Sequence, residues 1–134
     1  MQLVNRVLAA SAFVLVLDVV TKRLAETALD RWPPTPLLGQ SLRLTLGHNT
    51  GVAFGLFANG GTGPLLVTGA IIAGLLLWLG YALRSRQIGA AHAWPLGLVL
   101  GGAIANFVDR LPYGRVTDFL DAGFGAARWP TFNL

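Results

Sequence analysis

Asp109 and Asp118 stand just past an apolar run in which Ile88 to Val108 carries no charged residue. Ionisable groups at a membrane boundary are costly to keep there, so by default they point to function. Two carboxyl groups brought together in such a place are enough for general acid/base hydrolysis without a metal or a thiol. Asp118 is the stronger candidate. It follows a Pro112-Tyr-Gly114 turn and precedes Phe119-Leu120, where the chain re-enters an apolar layer. Desolvation there favours the neutral acid, the property that an acid partner needs near neutral pH. Asp121, three residues on, reads as a loop residue facing water.

Further polar residues recur at helical spacing. Asp18, Thr21 and Lys22 stand at i, i+3 and i+4, on one helix face. They are either a snorkelling Lys paired with Asp at the interface or the lining of a polar site. Asn106, Asp109 and Arg110 repeat the spacing. For Asp109 the residues alone favour a structural clamp with its neighbour Arg110, whose charge keeps the acid ionised. An amide inside an apolar span needs a partner, so Asn106 should face the bundle interior. Asn49, in His48-Asn-Thr-Gly51, has the chemistry of a turn residue. His48 and His92 are isolated and receive no role.

Composition sets the class. Apolar residues are 54% of the chain and charged residues 12%, while a soluble domain carries roughly a quarter charged residues. Mean hydropathy is +0.60. The expectation is one integral membrane domain over residues 1–134. The net charge of +4 comes from basic residues dispersed near segment ends, where they anchor to headgroups, so no nucleic-acid partner is expected. Without Cys there is no disulfide, thiol nucleophile or thiolate metal site, and neither metal nor cofactor is expected.

A spanning helix needs about 20 mostly apolar residues. Three segments meet this, at about 3–22, 64–83 and 88–108. The first has no small-x-small cleavage site after it and reads as a retained helix. The third carries Gly97-x-x-x-Gly101, which lets two helices approach closely. Between the first two spans, Leu42 to Leu46 alternates like a short strand and the apolar run Val52 to Phe57 follows. A small interfacial β-element from this first loop is therefore expected. The fold class is an all-α membrane bundle with three spans and this β-element. Charge counting leaves orientation open, because Arg6, Arg84 and Arg86 on one side face a larger set of basic residues on the other.

Taken in order, the motifs resemble those of the lipoprotein signal peptidases (signal peptidase II), bacterial membrane aspartyl endopeptidases. They are Asp18-x-x-Thr-Lys22, Asn49-Thr-Gly-Val-Ala-Phe54, Gly102-x-x-x-Asn106-x-x-Asp109-Arg110, Gly114-x-Val116-x-Asp118-Phe119 and the start of a last motif, Phe132-Asn133. The resemblance implies four transmembrane helices, a β-cradle from the first loop, and a site facing the extracytoplasmic side of the bacterial inner membrane. It implies prolipoprotein substrates whose Cys carries diacylglycerol and is left at the new N-terminus by cleavage. It makes Asp118 catalytic, and Asp18, Lys22, Asn49, Asn106, Asp109, Arg110 and Asn133 substrate-binding or supporting. Membrane lipids are further partners, and a monomer is expected.

One departure stands out. The family's last motif, Phe-Asn-x-Ala-Asp, supplies the second catalytic carboxylate, and the sequence ends at Leu134 before that position. Either residues 1–134 are a fragment or half the pair is missing, and on their own they are expected to show little or no activity. Two other readings fit the residues. A transporter or channel subunit would line an ion path with Asp18, Asn106 and Asp109. A non-catalytic scaffold would pack through Gly97 and Gly101.

Overall fold

The computed structural model describes residues 2–52, 57 and 61–134. Ala53, Phe54, Gly55 and Leu56, from the apolar run in the first loop, lie outside the described residues. Among the described residues, three helices are long and apolar enough to cross a membrane: α1 (Gln2–Leu29), α2 (Gly63–Arg84) and α3 (Ala93–Tyr113), the last entered through a 3-10 turn at Ala90–His92.

α1 buries Val7, Ala10, Ser11, Asp18, Lys22 and Ala25, a stripe recurring every three or four residues. Its other faces present Leu8, Phe13 and Val16 outward, as lipid contact requires. The stripe meets α3, where two glycines set the distance. A β-carbon on Gly101 would lie 2.7 Å from the Ser11 carbonyl oxygen, and one on Gly97 would collide with the Ala10 side chain. The Ser11 hydroxyl donates to the Gly97 carbonyl at 3.0 Å and seals the crossing. In lipid, such close backbone packing replaces the hydrophobic effect as the source of helix association. α2 lies against α3 with Pro64 in its first turn, where a missing amide hydrogen costs nothing.

α1 runs past Lys22 to Leu29. Residues 23–29 are mostly good helix formers, and Arg23 pairs with Glu26 one turn on at 3.1 Å. The helix stops short of Pro33 and Pro34. α3 ends where Gly114 adopts φ 65° and its amide donates to the Arg110 carbonyl at 2.9 Å.

The β-element is larger than the first loop alone could supply. A four-stranded antiparallel sheet runs in the order β1 (Thr35–Leu38), β2 (Leu42–Asn49), β3 (Val116–Phe124), β4 (Ala127–Arg128). Half of its strands come from the C-terminal tail, so the chain is not an all-α bundle with a loop appendage. Val116-Thr-Asp-Phe carries the β-branched and aromatic residues that favour a strand. Pairing with β2, through Gly47 opposite Asp118 and Asn49 opposite Val116, turns that preference into a central strand. Residues 130–134 then run back beside β3. Phe132 bridges Leu120, with its amide donating to the Leu120 carbonyl at 2.9 Å.

Asp121 does not face water. It is 6% exposed and holds Arg43 at 2.5 Å and Arg128 at 2.8 Å. Arg128 also donates to the Gln40 carbonyl at 2.7 Å, so one carboxylate ties together the two hairpin ends. Hydrogen bonds, first from Arg128 and then from Arg43, hold the Asp121 carboxyl below the usual carboxylate range.

Candidate active site

Three elements and the C-terminal segment converge where the sheet meets the ends of α1 and α3. From α1 comes Lys22, only 3% exposed and thus not snorkelling. Its ammonium lies 2.6 Å from Asp18 Oδ2, 3.2 Å from Asp109 Oδ2 and 3.0 Å from Asn106 Oδ1. One buried cation therefore joins the two helical constellations that spacing had shown separately. Asp18 is 1% exposed, and burial of this kind is tolerable only with such a partner.

Asp109 pairs with Lys22, not with Arg110. Neighbouring residues on a helix point about 100° apart and do not face each other. Arg110 turns the other way. Its guanidinium donates to the Asn106 carbonyl at 3.1 Å and to the Gly51 carbonyl at 2.6 Å, fastening the loop after β2 to α3. Asn106 does face the interior, with its amide oxygen shared between Lys22 and Asn133.

Asp118 is 3% exposed on β3. Its Oδ1 accepts a hydrogen bond from Asn133 Nδ2 at 2.8 Å, and the Asn49 side chain bonds it from β2. The Asn49 amide oxygen also accepts from the Gly51 amide at 2.9 Å, so its turn chemistry and its contact with Asp118 coexist. Burial pushes the Asp118 carboxyl up to about 6, overriding the Asn49 and Asn133 hydrogen bonds and the Lys22 and Arg110 charges, which all act to lower it. Asp118, Asn49, Asn106, Arg110 and Asn133 line a cavity of about 370 Å³ whose apolar wall includes Ile71 of α2 and Ala103 of α3. A carboxyl that is neutral in part near pH 6, aimed into a cavity beside apolar helix faces, is equipped to exchange a proton with a bound substrate.

Two residues that spacing did not single out join this arrangement. Glu26 accepts from the Thr117 hydroxyl at 2.8 Å, and the Thr117 amide donates to Asp109 Oδ2 at 2.9 Å. The signal for Glu26 was present: it stands four residues after Lys22, on the face that carries Asp18 and Lys22.

The profile of the family described as Signal peptidase (SPase) II matches residues 10–134. The chain belongs to the signal peptidase II family. It is 36% identical to the lipoprotein signal peptidase of Desulforapulum autotrophicum, over 96% of this chain and 81% of that one. It is 38% identical to the lipoprotein signal peptidase of Mycobacterium avium, over 95% of this chain and 68% of that one. Among solved structures it is similar to a bacterial membrane enzyme obtained by the in meso method at 2.3 Å resolution. The TM-score is 0.77 at 27% identity, with 96% of this chain and 77% of that one covered. Family membership makes the chain a peptidase, and its three apolar helices make it an integral membrane protein.

Proposed function

We propose that the protein is an aspartyl endopeptidase that removes signal peptides from diacylglyceryl-modified prolipoproteins, with Asp118 as one of two catalytic carboxyl groups. The observation that carries this reading is the Asp118 carboxyl itself. It is buried in the cavity, held by Asn133 and Asn49, and raised to about 6 by burial.

In this scheme Asp118 holds the proton and polarises the scissile carbonyl. A second, ionised carboxylate takes a proton from the attacking water. When the tetrahedral intermediate collapses, a proton passes to the departing amine. Two carboxyls this close titrate as a pair and share one proton at working pH. The family motif would place the second acid two residues past Leu134. The backbone supports that position: the Leu120–Phe132 bridge brings the 130–134 segment alongside β3, and Asn133 reaches Asp118 directly. Asn106, Lys22, Asp18 and Asp109 form the supporting framework, and Arg110 holds the loop that walls the cavity. The acyl chains of the substrate lie against the exposed apolar faces of α2 and α3, so lipid binding pre-positions the peptide bond. The site then faces outward from the bacterial inner membrane.

The rival readings lose their footing in the same contacts. Asp18 and Asp109 are both committed to Lys22, which leaves no chain of available acids for an ion path. Gly97 and Gly101 are consumed by the packing of α3 on α1, which favours a monomer over a scaffold.

The test is cleavage of a lipidated propeptide by the protein expressed from its own gene. Asp118→Asn should abolish turnover while leaving substrate binding intact. Normal turnover by that variant overturns the assignment.

A further inference from the structure

The strand that carries Asp118 is fastened from behind, through the residue before it. Successive side chains of a strand point to opposite faces. Asp118 lines one cavity, and Thr117 lines a second of about 420 Å³ on the other side of β3, together with Lys22, Glu26 and Asp109. Thr117 is 5% exposed and uses all of its polar groups. Its hydroxyl donates to Glu26 Oε1 of α1 at 2.8 Å and its amide to Asp109 Oδ2 of α3 at 2.9 Å. Its carbonyl accepts from Asn133 at 3.3 Å. Both acids are themselves held, Glu26 by Arg23 at 3.1 Å and Asp109 by Lys22 at 3.2 Å.

The β2–β3 ladder is regular along this stretch, with Gly47, His48 and Asn49 opposite Asp118, Thr117 and Val116, and its register shifts just beyond, between Leu44 and Gly47. A shift of this kind bends and twists the strand pair locally. The Thr117 hydrogen bonds add a tie from the helix side, joining the peptide next to Asp118 to α1 and α3.

We propose that Glu26 and Thr117 are positioning residues, a latch on the helix side of β3 that sets where the Asp118 carboxyl points in the cavity. This rests on Asp118 being catalytic. Neither residue lines the cavity that Asp118 faces, so the latch acts on turnover and not on affinity. Misplacement by about 1 Å can cost on the order of a hundredfold in rate.

The experiment measures steady-state cleavage of a lipidated propeptide across pH, using the protein expressed from its own gene. Thr117→Val keeps the shape and removes the hydroxyl, and Glu26→Leu removes the acceptor. Each should lower kcat by about tenfold to a hundredfold with KM changed less than about twofold, and should move the alkaline limb of the pH profile, where the protonated Asp118 is lost. Thr117→Ser and Glu26→Gln retain the donor and acceptor and should restore kcat. The Thr117→Val/Glu26→Leu double variant should be no slower than the slower single, because both break one bond. Wild-type kcat in Thr117→Val, or equal losses in Thr117→Ser and Thr117→Val, overturns the latch. Should Thr117→Val fail to fold, the Glu26→Leu and Glu26→Gln pair decides it by the same comparison. An Asp118→Asn variant run alongside separates the two ideas. If it is inactive while the latch variants are normal, only the latch fails; if it is active, the reading beneath it fails.

Discussion

Lys22 of α1 and Asp109 of α3 meet at 3.2 Å across the helix crossing, and the same ammonium satisfies Asp18 at 2.6 Å. A single cation thus offsets both carboxylates, of which Asp18 is buried and Asp109 partly exposed. Its loss strands the buried Asp18, and leaving one partner of a buried pair alone costs about 3–5 kcal/mol. Lys22→Met should therefore lower thermal stability in detergent far more than its apolar volume suggests. A melting temperature equal to that of the wild type contradicts this account.

Asp118 predicts an opposite effect. A carboxyl whose folded pKa is raised binds its proton more tightly in the native state than in the unfolded one. Its contribution to stability is therefore favourable at low pH and is lost as pH rises towards and through about 6. The wild-type protein should melt at a lower temperature at pH 8 than at pH 5. Asp118→Asn should flatten that dependence. Thermal melts of both proteins across this range check the sign.

Asn133 acts on the same group in the other direction. Its hydrogen bond at 2.8 Å favours the charged carboxylate, so Asn133→Ala should raise the Asp118 pKa further. If Asp118 is the proton-holding acid, the pH–rate limb that reports it should move upward. An unshifted limb contradicts the proposed influence of Asn133 on the Asp118 proton.

The glycines of α3 offer a contrast within one helix. A side chain at Gly101 would press on the Ser11 backbone, whereas Gly102 has nothing within 4 Å of the same position. Gly101→Val should separate α1 from α3 and cost on the order of 1–3 kcal/mol, the range for overpacking. Gly102→Ala should be tolerated and gain roughly 0.5–1 kcal/mol from helix propensity. Folding yields and melting temperatures of the two variants test the pair.

Much of this was legible in the residues. The three helices declare themselves by length and hydropathy, and the i, i+4 spacing of Asp18 and Lys22 marks the buried face of α1. The sheet was half legible. Leu42 to Leu46 alternates openly, but Val116 to Phe124 is buried along most of its length and so lacks the alternation of a half-exposed strand. The partners were least legible. That Lys22 would bridge to Asp109, and Thr117 to Glu26, depends on how α1 crosses α3 and where β3 returns. No local pattern encodes either. Arg110 misled for a related reason, since adjacency in sequence suggested a clamp that helical geometry forbids.

The pairing of β2 with β3 also orders events during synthesis. β2 ends at Asn49, and its neighbour in the sheet begins only at Val116, after two hydrophobic helices have been made. Contacts so distant along the chain form late. The nascent polypeptide thus reaches the bilayer with β2 still unpaired from β3, and the cavity lined from both strands takes shape only once the C-terminal segment has followed the helices.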